Sequence, residues 1–118
     1  MSMLSMIASV VSMDDSGLRP ECFTVLDSDG FPVKVNAEWI TAEPVLRPKG
    51  LCSDMVDWHY PEISYGYVSA AASSNEEAVR ELAGGNFGFY FIWMKTAKTF
   101  AAFSTSEEEV EAIMKEAE

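Results

Sequence analysis

The chain has a single histidine, His59, and it stands in the run Cys52-Ser53-Asp54-Met55-Val56-Asp57-Trp58-His59-Tyr60-Pro61-Glu62. An imidazole among carboxylates, with a thiol nearby, is a donor set that zinc or iron accepts. Structural zinc sites present two pairs of close ligands, whereas this run holds one His and one Cys. The run therefore reads as a loop whose histidine pairs with a neighbouring acid. Cys52 and His59 fare no better as nucleophile and base. The thiol has no small-residue elbow, no helix N-terminus to depress its pKa and no evident oxyanion donors. No glycine-rich loop joins a strand to a helix with the spacing of a phosphate cradle. Carboxylate pairs of the glycosidase kind carry no specificity in a chain with 19 acids. The expectation is a protein without catalytic residues, metal or cofactor.

Charge is more informative. Eight Lys and Arg stand against 19 Asp and Glu, a formal net charge of −11. Nucleic acid and anionic lipid both require a positive footprint, so direct binding to either is excluded as an expectation. No Lys or Arg occurs between Gly50 and Val79, a stretch that carries Asp54, Asp57, Glu62, Glu76 and Glu77. Glu76, Glu77 and Glu107 to Glu109 fall where a helix N-terminus favours negative charge, worth about 0.3–1 kcal/mol each. That leaves most of the surplus unexplained. A sharper expectation is that Asp54, Asp57, Glu62, Glu107, Glu108 and Glu111 imitate a row of phosphates, with Trp58 as an aromatic anchor. The partner would then be a basic protein or ribonucleoprotein complex whose groove otherwise holds DNA or RNA. In size and charge the chain is similar to the small acidic inhibitors that phages and mobile elements direct against nucleases or CRISPR complexes. That class likeness implies an inhibitor. The rival reading is a small ligand-binding sensor with an aromatic pocket built from Tyr65, Tyr67, Tyr90 and Trp93.

These residues must be positioned by a single domain, because 118 residues support one core. The organising stretch is Phe87 to Met94, Phe-Gly-Phe-Tyr-Phe-Ile-Trp-Met. A period of two puts Phe87, Phe89, Phe91 and Trp93 on one face and Gly88, Tyr90, Ile92 and Met94 on the other. Both faces are apolar, which predicts a strand covered on both sides.

A hairpin is expected from Glu21 to Trp39, turning at Asp27-Ser28-Asp29-Gly30. Asp-x-Asp-Gly invites a calcium reading, but an EF-hand loop counted from Asp27 would place Phe31 and Pro32 at positions that need an oxygen ligand and a glycine. The hairpin also resembles the opening hairpin of PAS sensor domains and of roadblock-type scaffolds. Any Asp-Gly turn between apolar strands gives the same pattern, and neither family's pattern continues downstream.

Residues 2–13 carry serines at 2, 5, 9 and 12, with Leu4, Ile7 and Val11 at helical spacing, and predict a first helix. Its small-residue stripe would suit packing on the sheet, or a contact between subunits of a homodimer. A second helix is expected over 75–84, capped by Ser74 with Glu77 and stopped by Gly84-Gly85. Residues 40–62 read as a long connection with one short strand near Met55–Trp58. Ile63, Tyr65 and Tyr67 alternate as a half-buried strand, Thr99–Phe103 supplies a partner strand, and 106–118 forms a last helix on Val110, Ile113, Met114 and Ala117. The fold class is thus α+β, with a mainly antiparallel sheet of about four to six strands and helices near 2–13, 75–84 and 106–118. Met1–Met13 has no basic n-region, and Cys22 and Cys52 read as reduced thiols, so a cytoplasmic setting is expected.

Overall fold

A computed structural model describes residues 4, 6–27, 29–41, 45–46, 62–95 and 98–115. In chain order the elements are β1 (Ala8–Met13), β2 (Pro20–Leu26), β3 (Pro32–Asn36), β4 (Glu38–Trp39), β5 (Val45–Leu46) and β6 (Glu62–Ser69). They are followed by α1 (Glu76–Leu82), β7 (Gly88–Met94), β8 (Thr99–Ser104) and α2 (Glu107–Lys115). All strand pairs are antiparallel and fall into two sheets. The first has the order β1-β2-β3; the second has the order β4-β6-β7-β8, with β5 also paired to β6. The α+β class with mainly antiparallel sheet is as expected, but the hydrophobic surface is divided between two layers.

The division turns on Ala37. Its N–H continues the β2 ladder by bonding the Glu21 carbonyl at 2.9 Å. The next residue, Glu38, already pairs with Tyr67 of β6. One extended segment thus leaves the first sheet and enters the second, a strand-switching corner of the kind found in packed sheets. Trp39, expected to end the hairpin, instead belongs to the second sheet and ties the corner down. Its indole N–H donates to the Pro20 carbonyl at 3.2 Å and its ring meets Phe91 edge-on at 5.1 Å.

Between the sheets lies the main core. Phe23, Val25, Val33 and Val35 of the first sheet face Val68, Phe89, Phe91, Trp93 and Phe103 of the second. Phe23 and Phe91 meet edge-to-face at 5.2 Å, and Phe100 packs against Trp93 at 4.9 Å, geometries that suit the ring quadrupoles. The Trp93 indole N–H reaches the Leu18 carbonyl at 3.0 Å, so burying this ring leaves no orphaned donor. On the outer face of the second sheet α2 covers Ile63, Tyr65, Ile92 and Met94 with Val110, Ile113 and Met114. Strand β7 is therefore buried on both faces, as its unbroken apolar run predicts. Strand β6, expected to be half wet, is also covered on both sides. Phe87 falls outside β7 and is 73% exposed, with the Arg80 guanidinium over its ring at 5.0 Å.

The largest correction concerns the first element. Residues 8–13 form a strand, not a helix. The serine spacing imitates a helical repeat, but Ala8, Ser9 and Val10 pair with Val25, Thr24 and Phe23. The β-branched Val10 and Val11 favour extended backbone, and the apolar β2 offers them a ladder. The second helix spans Glu76–Leu82 and is capped by Asn75, whose side chain accepts from the Ala78 N–H at 3.0 Å. Ser74, the expected cap, donates to the Lys34 carbonyl instead, tying the helix entrance to β3. Gly84 and Gly85 take positive φ and end the helix as expected. At the hairpin turn the Asp27 carboxylate accepts the N–H groups of Asp29 and Phe31 at 2.9 and 2.8 Å, the work of a turn residue.

Candidate functional site

Antiparallel register brings three tyrosines to the outer face of the second sheet. Tyr65 and Tyr67 alternate along β6, and Tyr67 stands directly opposite Tyr90 of β7. Their rings lie 4.7 Å apart at 48°. Space for the Tyr67 ring comes from Gly88: a Cβ there would meet the Tyr67 hydroxyl at 2.6 Å and would overlap the Val68 carbonyl.

The acids come from α2. Strand β8 ends at Ser104, opposite Tyr90. The Ser104 hydroxyl accepts from the Ser106 N–H at 3.0 Å, and the Ser106 hydroxyl accepts from the Glu109 N–H at 3.2 Å, starting the helix immediately. This tight exit sets Glu107 beside Tyr90, close enough for its charge to act on the phenol. One turn later the Tyr65 hydroxyl reaches Glu111 Oε1 at 3.5 Å. Burial pushes all three phenols above the ordinary tyrosine range. Glu111 and Glu107 add to this at Tyr65, Glu107 at Tyr90, and Glu38 at Tyr67. At neutral pH the face therefore carries protonated phenols next to carboxylates.

Of the acids expected to bind a partner, Glu107 and Glu111 flank the tyrosines, half-buried, while Glu108 points to solvent. Glu109 is half-buried, and one of its carboxylate oxygens is buried without a hydrogen-bond partner among the described residues. Glu62 forms an ion pair with Lys95, so its charge is locally offset. The acids of the last helix thus divide between solvent (Glu108) and a tyrosine-lined flank (Glu107, Glu111). Asp54, Asp57 and Trp58 lie outside the described residues, as do Cys52, His59 and the strand expected near Met55–Trp58.

The aromatic pocket expected from Tyr65, Tyr67, Tyr90 and Trp93 is not assembled. Trp93 has the opposite strand parity to Tyr90, is fully buried between the sheets and shares no face with the tyrosines. Cys22 is a buried free thiol that donates to Asn36 Oδ1 at 3.0 Å. Among the described residues no group of three or more His, Cys, Asp and Glu could hold a metal ion. Likewise, no described helix is long and apolar enough to cross a membrane.

Grouping the tyrosines with the α2 acids was within reach of the sequence. Strand parity separates Tyr90 from Trp93, and an i, i+4 spacing joins Glu107 to Glu111. What could not be read was that α2 covers this face of the sheet. No protein-family model, curated protein or solved structure matches this chain. The tyrosine and glutamate face therefore has to be interpreted on its own chemistry. Carboxylates attract a cation, neutral phenol oxygens can accept its N–H groups, and ring faces add cation–π attraction.

Proposed function

We propose that the chain is a non-catalytic acidic binding module that captures a basic protein or ribonucleoprotein complex and occupies the groove in which that partner would hold nucleic acid. One observation carries the reading: Glu107 and Glu111 flank Tyr65 and Tyr90 on one face of a chain with net charge −11. An arginine arriving at the rim of this face finds the Glu107 and Glu111 carboxylates beside the half-buried Tyr90, while Tyr65 lies beneath α2. Glu108, exposed on the same helix, adds to the field that steers such a partner. Occlusion of the partner's groove would make the module an inhibitor, with charge supplying fast encounter and aromatic contacts supplying residence.

The test immobilises the full chain and presents basic nucleic-acid-binding enzymes across a salt series. Capture should weaken steeply as salt rises and should be competed by added duplex DNA. Replacing Glu107, Glu108 and Glu111 together by Gln should weaken capture about tenfold or more at low salt and flatten the salt dependence. Capture indifferent to both salt and the triple substitution would overturn the reading.

A further inference from the structure

We infer that two copies of this chain pair through β1, strand against antiparallel strand, joining their three-stranded sheets into one continuous sheet. Among the described residues strand β1 is the outer strand of its sheet and pairs with β2 alone. The Leu26 N–H is given to the Ile7 carbonyl. Because hydrogen bonding alternates along an antiparallel ladder, Ala8 and Val10 then turn their N–H and C=O groups away from β2.

Two other outer strands, β3 and β8, are treated differently. Beside β3 the chain is crossed by Ser74, which donates to the Lys34 carbonyl, and Asn36 donates to the Ala72 carbonyl. The edge also carries Pro32 and Lys34, residues that discourage pairing. At β8 the Phe103 carbonyl is taken by the Leu4 N–H at 2.7 Å. On β1 neither proline nor charge protects the edge, and Ser9 through Ser12 are all exposed.

Charge selects the occupant. Residues 1–13 contain no Asp, Glu, Lys or Arg, although the whole chain carries −11. Two such anions can approach closely only where neither presents like charge, and β1 meets that condition. A basic partner, by contrast, would gain nothing from this strand. Register supplies the second argument. Pairing the outward groups of Ala8 with those of Val10 from the second copy places the two-fold axis at Ser9. That same register sets Ile7, 69% exposed, opposite Val11 of the second copy, 51% exposed. Each Ile7 and Val11 then meets an apolar side chain across the new ladder instead of water.

Sedimentation equilibrium on the full chain, from micromolar to millimolar concentration, tests this. A reversible rise from 13.0 kDa to twice that mass is expected. The association should tighten as salt is added, because screening relieves repulsion between two anions. Capture of a basic partner changes in the opposite direction, so failure of either reading is recognisable by itself. Val10→Pro removes an outward N–H without touching the β2 ladder, and Ile7→Lys puts charge on the exposed rim. Each should raise the dissociation constant about tenfold or more, with the thermal midpoint of the monomer unchanged. If Val10→Pro fails to fold, Ile7→Lys decides, since its side chain is exposed. A wild-type chain that stays monomeric throughout, or a dimer that Ile7→Lys leaves equally tight, overturns the inference.

Discussion

Tyr67 of β6 and Tyr90 of β7 face one another across the ladder with ring centroids 4.7 Å apart, and Glu107 of α2 lies beside Tyr90. This contact joins the sheet to the acidic helix. It makes the state of the phenols a reporter of whether α2 is seated.

The first prediction concerns pH. Burial, then the neighbouring carboxylates, raises the folded-state pKa of Tyr65 and Tyr90 above the ordinary value of 10.0. In the unfolded chain the phenols ionise at their ordinary pKa, so above it the unfolded state binds fewer protons than the folded one. Their contribution to stability is therefore fully present below pH about 10 and is lost as pH rises through the folded pKa values. Phenolate absorbance followed during alkaline titration should show these tyrosines ionising late, together with loss of the fold. Glu111→Gln should bring the onset for Tyr65 to lower pH. Phenolate appearing at the ordinary tyrosine pKa while the protein stays folded would contradict the described packing.

Two phenylalanines close in sequence should behave in opposite ways. Phe91 is fully buried between the sheets, whereas Phe87 is 73% exposed. Phe91→Ala should cost about 3–5 kcal/mol by loss of contacts and cavity formation. Phe87→Ala should cost about 0.5 kcal/mol or less, since its side chain is largely exposed beneath Arg80. Urea denaturation of the two variants measures both.

Gly66 and Gly88 are predicted to resist even a methyl group. A Cβ on Gly66 would lie 2.7 Å from the Glu38 carbonyl oxygen and 2.7 Å from Phe91 Cζ. At Gly88 the obstruction is the Val68 carbonyl together with the Tyr67 ring. Backbone cannot swing aside as a side chain can, so Gly88→Ala should destabilise by about 3 kcal/mol or more, and Gly66→Ala by a similar amount. The check is the denaturation midpoint of each variant. Near-UV circular dichroism should also report displaced Tyr67 and Phe91 rings.

The hairpin turn offers a milder test. Asp27 accepts two backbone N–H groups through one carboxylate oxygen in an exposed setting. Asp27→Ala should cost about 1–2 kcal/mol, and Asp27→Asn, which keeps an acceptor, clearly less. Thermal unfolding of the pair separates a capping role from a purely electrostatic one.

Elements with a strong local signal were legible. The apolar run to Met94, the Asp-Gly hairpin and the Val110, Ile113 stripe each carry their own period, and each formed, with Phe87 and Trp39 falling outside the strand and hairpin expected to hold them. β1 was not legible because its small residues satisfy a helical spacing as readily as an extended one. Only the distant strand carrying Phe23 decides between them. The helix cap was misplaced by one residue because Ser74 and Asn75 are both good caps, and β3 claims the first. Glu107 and Glu111 could be selected from charge and spacing. Their seat beside Tyr90 and Tyr65 depends on which face of the sheet α2 covers, a long-range choice that no window of sequence contains.

The corner at Ala37 has a consequence for any attempt to divide the molecule. Because one unbroken extended segment serves both layers, a protease cut there would remove a rung from each at once. Neither layer should survive as an excised fragment, and melting followed by tyrosine, tryptophan and amide signals should coincide in a single transition.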